Sequence, residues 1–488
     1  IPDIIAAICD TLVRDDGARA GEGPYTVTNT RTLALYARTC RAFHRPAIKV
    51  LWKHMELTLE IVLLHCMPSD VWCKQRVSRR YFLSQVDRLV RFDRLAYYAP
   101  FINTLTFGSA ADNSHKYSYS YHVDKSTLEL SDEGYLALSL LAILSHLPTR
   151  CPAVVDLTFD TRHSDGSGRG SNVVDRMLSR AVCAWNLRHF KSSALDGATL
   201  RHLIGSPSLE TLYINRPFNP WAPIKLTQPD AFSSLRTLFL HIIPMERCIE
   251  LMQGRNFYSL EELTLHVSRP SAGDWQTLLR AIHDAHRRPE LLNYLEVNAR
   301  LTQSPDNFRE PLREADIEPI LAFPAIRALD LDCIGDLRLY AQEAPTWKRR
   351  LTLNALVPLA LHCPELQHLD LDLDATGVIY RSNPPQPAAP HCLPSISMQW
   401  SPILSAGVVA GFLSVIFPNL MGVDTVDDAA EVIKRRWKRV GSMVQLFAAL
   451  RDHERKDALG QAPSTELEVR DRWYMSESEE EDAEDSTD

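Results

Sequence analysis

Between residues 200 and 372 the apolar positions fall into one figure that keeps returning, L-x-x-L-x-L. It reads LETLYI at Leu209–Ile214, LRTLFL at Leu235–Leu240, LEELTL at Leu260–Leu265 and LNYLEV at Leu292–Val297. IRALDL at Ile326–Leu331 and LQHLDL at Leu366–Leu371 continue it. Weaker copies start at Ile102 (INTLTF), Val154 (VVDLTF), Leu393 (LPSISM) and Leu420 (LMGVDT). Alternation within each copy predicts a short strand with one buried side. The stretches between copies, such as DWQTLLRAIHDAH and LNALVPLALHC, carry helical periodicity. A proline in SPSLETL, FPAIRAL and CPELQHL ends the preceding helix.

The central leucines Leu212, Leu238, Leu263, Leu295, Leu329 and Leu369 are 26, 25, 32, 34 and 40 residues apart. Strand, then helix, at that period is the leucine-rich-repeat pattern. One unit cannot bury its own apolar side, so the units must stack to form a core. A doubly wound sheet also alternates strand and helix, but it does not repeat one motif this often, and no phosphate loop opens any of these helices. The uneven spacing predicts an irregular array.

Both ends of the chain read as helical. In LALYARTCRAFHRPAIKVLW (Leu33–Trp52) the positions Tyr36, Cys40, Phe43, Ala47 and Val50 form a stripe with a period near 3.5. Pro46 suits a first helical turn, so one helix is expected to end near Phe43 and a second to start at Pro46. Two short helices cannot cover that stripe themselves. At the other end Val432, Trp437, Val440, Val444, Phe447 and Leu450 recur at helical intervals, and the segment reads as a cap on the array.

Charge adds one feature. Of 61 acidic residues, eight lie between Met475 and Asp488 with no Lys or Arg among them; the remaining 53 balance 53 Lys and Arg. The body is therefore neutral, and nothing in the balance asks for nucleic acid or a membrane. The segment after Gly460 reads as a disordered acidic tail. Ser476 and Ser478 each precede an acidic residue by three positions, which suits an acidophilic kinase. No apolar run is long enough to span a membrane unbroken. The ten cysteines are scattered, without C-x-x-C, and most read as small core residues in a reducing compartment.

Catalytic signatures are missing. HSDGSGRGSN (163–172) lacks G-K-[ST] and reads as a solvent loop. LDLDLDATG (369–377) places Ala375 and Arg381 where a calcium loop needs Gly and Glu. HDAH (His283–His286) lacks the spacing of a zinc hydrolase and is expected on a helix surface. KRRWKR (Lys434–Arg439) reads as the polar face of the cap helix around a buried Trp437. No enzyme, cofactor or metal is expected.

IPDIIAAICDTL followed by LALYARTCRAFHRPAIKVLW resembles an F-box. The matching residues are Ile1, Pro2, Ile5, Leu35, Cys40, Arg41, Phe43, Leu51 and Trp52. With MPSDVW at Met67–Trp72 and the RWK helix at Arg436–Arg451, the layout resembles the F-box/leucine-rich-repeat proteins expanded in mushroom-forming fungi. The chain departs from the pattern in Ile1, which replaces a usual Leu, and in a polar insert over Arg14–Asn29.

The resemblance implies an α/β chain in five parts: an F-box over 1–55, a helical linker over 56–98, the solenoid over 99–426, the cap helix over 427–460 and the tail over 461–488. It implies a monomeric substrate receptor of an SCF-type cullin–RING ubiquitin ligase, cytoplasmic or nuclear. Ile1, Pro2, Ile5, Leu35, Cys40, Phe43, Leu51 and Trp52 would bind the adaptor subunit. The alternatives are an F-box-derived scaffold that recruits no ligase and a nuclear nucleic-acid-associated protein using KRRWKR. In each strand the residues flanking the leucines point to the open face. That face is expected to bind a Lys/Arg-rich protein target through Asp330, Asp370 and Asp372, with Tyr213, Phe239 and Tyr294 as aromatic contacts.

Overall fold

A computed structural model describes residues 2–12, 28–53, 72–74, 81–83, 97–107, 147–159, 178–192, 195–214, 232–268, 274–300, 312–331, 351–377, 393–398, 401–425 and 431–459. They form two compact units. The first comprises Ile1–Ile243 with Gly254–Leu260, and the second Pro244–Gln253 with Glu261–Asp488.

The first unit begins with helices Pro2–Thr11, Thr28–Thr39 and Arg41–Lys53. The break falls at Cys40, and Pro46 lies inside the third helix. The expected boundary at Pro46 is thus corrected. A proline in the second turn forfeits one bond, to Ala42, because the N–H groups of the first turn have no intrahelical partner in any case. Over 56–98 the described residues include an antiparallel pair, β1 (Trp72–Lys74) with β2 (Tyr81–Leu83). The linker expected to be helical thus contains a short strand pair.

Parallel strands β3 (Thr104–Phe107), β4 (Asp156–Phe159), β5 (His189–Ser192), β6 (Thr211–Ile214) and β7 (Thr237–Pro244) follow in chain order. In the second unit β8 (Glu262–Ser268), β9 (Tyr294–Arg300), β10 (Ala328–Leu331), β11 (His368–Leu371), β12 (Ser395–Ser397) and β13 (Gly422–Asp424) do the same. Each unit is a leucine-rich-repeat array.

The register explains why the motif repeats. Leu212 lies beside Leu238, Leu263 beside Leu295, and Leu329 beside Leu295 and Leu369. All are fully buried, as are the first leucines of the copies, from Leu187 and Leu209 to Leu420. Each unbroken ladder of such side chains removes roughly 1.5–3 kcal/mol of apolar surface cost per residue. The two residues after the first leucine pin each copy to its predecessor. The N–H groups of Glu210 and Thr211 both donate to the Arg188 carbonyl, those of Arg236 and Thr237 to that of Glu210, and those of Gln367 and His368 to that of Arg327.

A copy missed in the sequence, LRHFKS at Leu187–Ser192, forms β5, with Leu187, Phe190 and Ser192 buried. Aromatic and hydroxyl residues replace the last two leucines there. Among the helices, Gly197–Ile204 is opened by Asp196, whose carboxylate accepts from the Thr199 N–H at 2.7 Å. Helix Asp274–Ala285 buries Trp275, Leu278, Leu279 and Ile282. His286, just beyond it, is buried rather than on the surface as expected. Its Nδ1 lies 2.6 Å from the Ile282 carbonyl and its ring meets Phe323 edge-on.

The second unit ends in helices Ala406–Ile416 and Glu431–Ala458. Trp437 and Val440 of the long helix are fully buried. The Trp437 indole N–H donates to the Ser401 carbonyl at 2.7 Å. Arg436, Gln445 and Arg451 donate to the carbonyls of Ile403, Met421 and Pro418. The backbone at Gly441 lies against that of Val423, so the cap covers β13, the last strand. Among the described residues no helix is long and apolar enough to cross a membrane.

Candidate functional site

The N-terminal helices make their own core. Ile5, Cys9, Leu33, Ala37, Ala47, Ile48 and Val50 are buried together. Helix Arg41–Lys53 supplies the last three, and the His44 ring reaches the Ala37 carbonyl at 2.9 Å. Tyr36 stacks on Phe43 with centroids 5.4 Å apart. Trp52 stacks on Tyr98 at 4.6 Å, which ties the module to the turn before β3.

The predicted adaptor residues therefore divide. Ile5 faces the module core. Phe43, Leu51 and Trp52 are half-buried, while Cys40 is exposed. Leu35 is 56% exposed, as are Ile4 at 65% and Ile8 at 42%. Ile1 and the Pro2 side chain lie outside the described residues, as does the insert from Arg14 to Val27. Ile4 and Ile8 stand one helical turn apart on the first helix, so they share a face. An apolar side chain that stays outside a completed core is a place where another surface can be added.

The strand faces carry the second set. In the first unit, register sets Lys191, Tyr213 and Phe239 side by side on β5, β6 and β7. The Lys191 ammonium lies 4.4 Å over the Tyr213 ring, and Tyr213 and Phe239 stack at 3.8 Å, nearly parallel. The ring of His241, two residues further along β7, lies 6.1 Å from that of Phe239. Lys191 escaped notice in the sequence because its copy did; its signal is the position between Phe190 and Ser192. Nearby, His189 bonds the Thr211 hydroxyl, and the Thr104 hydroxyl donates to Asp156.

The second unit's face is acidic. Glu296, Asp330 and Asp370 are register partners on β9, β10 and β11. Neighbouring strands run about 4.8 Å apart. Two carboxylates at that distance repel by roughly 0.9 kcal/mol even at the dielectric of water. Asp372 follows one residue beyond β11. Glu296 accepts from the Tyr294 hydroxyl at 3.0 Å and the Thr264 hydroxyl at 3.4 Å, and the His266 Nε2 lies 2.7 Å from it. The His266 bond, then that of Tyr294, holds the Glu296 carboxyl below its ordinary range against the opposing effect of burial. Burial, then the Glu296 charge, pushes the Tyr294 phenol up. Tyr294 is thereby held as a neutral donor in a fixed direction.

Within KRRWKR, Trp437 is core, Lys434 pairs with Glu431 at 2.8 Å, and Arg435, Lys438 and Arg439 are exposed. The loop at 163–172, Asp332, and the tail with Ser476 and Ser478 lie outside the described residues. Asp374 accepts from the Thr376 N–H and hydroxyl, a local turn within LDLDLDATG.

No protein-family model matches the chain, and no curated protein matches it at a significant level. Among solved structures it is similar to a chain in the crystal structure of the Rad7 and Elc1 complex in yeast, at 14% identity, covering 70% of this chain and 76% of that one, with a TM-score of 0.34. A superposition this loose carries no argument about function.

Proposed function

We propose that the chain is a substrate-receptor subunit of an SCF-type cullin–RING E3 ubiquitin ligase. The observation that carries the reading is the N-terminal module. Its core is complete, yet its first two helices keep Ile4, Ile8 and Leu35 outward. Of these, Leu35 is among the residues that the F-box resemblance gives to the adaptor subunit, and Ile4 and Ile8 are further exposed apolar side chains of the same module; the residue pattern from Ile1 to Trp52 resembles an F-box. The strand faces are the natural place for a protein target. The acidic row of Glu296, Asp330, Asp370 and Asp372 suits a Lys/Arg-rich segment, which would relieve its internal repulsion. Tyr213 and Phe239 in the first unit, and Tyr294 in the second, offer aromatic contact. The receptor performs no bond chemistry and needs no cofactor. It raises the effective concentration of the target beside a conjugating enzyme, in the cytoplasm or nucleus.

The test is affinity purification with mass spectrometry of the wild type and of Ile4→Asp/Leu35→Asp. Both residues are exposed, so the double variant keeps its fold. Adaptor and cullin are expected with the wild type and lost from the variant. Their absence from the wild-type sample would leave the chain as a scaffold that recruits no ligase.

A further inference from the structure

The open face of the first unit carries a row whose sign is opposite to the acidic row of the second. Register sets Thr158, Lys191, Tyr213 and Phe239 next to one another on β4, β5, β6 and β7. Tyr213 stands between Lys191 and Phe239, so both faces of its ring are covered. The Lys191 ammonium lies 4.4 Å from the ring centroid on one side, and the Phe239 ring lies 3.8 Å away on the other, at an interplanar angle of 3°. Side chains stand roughly upright on a sheet, so the two rings turn their edges to the open side. An aromatic ring is negative over its face and positive at its edge. The ammonium rests on the negative face, and the edges that remain are positive and apolar.

Lys191 is half-buried, and among the described residues no carboxylate pairs with it. Asp156 lies two residues before Thr158 on β4, where it accepts from the Thr104 hydroxyl at 3.2 Å and sits 3.8 Å from the His189 Nε2. Its charge is engaged one row back along the strands. We infer, on the reading that the strand faces hold the target, that this row takes an acidic segment of it: a Glu or Asp carboxylate meets Lys191, and an apolar side chain beside that residue lies on the edges of Tyr213 and Phe239. Lys191 is then the residue that sets the sign of what the first unit accepts.

Two physical arguments favour a peptide carboxylate here. The Tyr213 contact already fixes the long Lys191 side chain, so less rotamer freedom is lost when the partner arrives. A nucleic-acid backbone recruits several Lys or Arg along its length, whereas this row has one cation followed by apolar edges. A Lys/Arg-rich segment is refused by the same charge that draws the acidic one, so the faces of the two units select different sequences.

Random-peptide phage panned on the full chain and on full-length Lys191→Glu test this. Clones held by wild type but not by Lys191→Glu should carry Asp or Glu beside an apolar residue, and clones gained by Lys191→Glu should carry Lys or Arg there. A synthetic peptide of the wild-type consensus should bind Lys191→Met about tenfold more weakly and Lys191→Arg with little change. Methionine keeps an unbranched stem on the ring and removes only the charge, so this pair also answers for folding. Equal acidic content in the two sets of clones, or full affinity for Lys191→Met, would overturn the proposal. A loss with Lys191→Arg as large as with Lys191→Met would assign the effect to shape and overturn it as well. Asp330→Lys/Asp370→Lys, panned in parallel, separates this from the broader reading. If its clones change while those of Lys191→Glu do not, the strand faces still hold targets and only the acidic-segment assignment fails. If no clone depends on either face, both fail.

Discussion

Trp437→Phe offers a measured test of how the array is closed. The indole is fully buried, and its N–H donates to the carbonyl of Ser401, a residue itself at 0% exposure. Phenylalanine keeps most of the packing and loses the donor. Losing the donor leaves a buried carbonyl without its partner, which costs roughly 1–3 kcal/mol. The smaller ring leaves a small void, which adds about 1 kcal/mol. A total of about 2–4 kcal/mol corresponds to a roughly 30- to 1,000-fold rise in cap opening, at 1.4 kcal/mol per decade. A repeat touches only its neighbours, so the effect should fade away from the cap. Hydrogen-exchange mass spectrometry reads this directly. Peptides covering 431–458 and 422–424 should exchange faster by that factor, and those covering 262–268 should change little. A rise below about threefold in the cap helix would refute the role given to the Trp437–Ser401 bond. An equal rise in all peptides would refute the local nature of the closure.

Two further outcomes follow from buried groups. Leu238→Ala and Leu263→Ala, each at a fully buried ladder position, should each cost about 2–5 kcal/mol in urea denaturation; losses below about 1 kcal/mol at both would mean that the strands are not the core. Burial lowers the pKa of His286 to about 4. Because the folded value lies below the ordinary one, the unfolded chain takes up the proton first as pH falls. The His286 contribution is intact above about pH 6.5 and is lost progressively down to about pH 4, by up to roughly 3 kcal/mol. The stability difference between wild type and His286→Gln should change over that window, and a pH-independent difference would count against the buried neutral ring.

The repeating array was legible from one chain because its physics is local and periodic. A leucine at every inward position of a short strand has no alternative partner but the next copy, so ten of the eleven parallel strands among the described residues announce themselves as L-x-x-L-x-L or a weaker form. The same holds for part of the cap helix: Trp437, Val440 and Val444 mark the inner side, whereas Val432 and Leu450, read in the same series, are exposed. The β5 copy stayed hidden because Phe190 and Ser192 fill the leucine positions, and only the neighbouring strands show that an aromatic ring and a hydroxyl serve there.

Other features belong to the tertiary structure alone. The pattern could not say that Ile5 turns inward while Ile4 and Leu35 stay out, since all sit among apolar neighbours and only the packing of the third helix chooses between them. Nor could it say that His286 is buried against Phe323, because a helix end can face either way. Register settled the rest. Register adds Lys191, from the copy missed in the sequence, to the row of Tyr213 and Phe239, whereas the row of Glu296, Asp330 and Asp370 follows the alignment of the motifs themselves. Sequence determines which side of a strand a residue takes, a matter of alternate positions. Which residues become neighbours across strands depends on hydrogen bonds between distant copies, and those form only when the array closes.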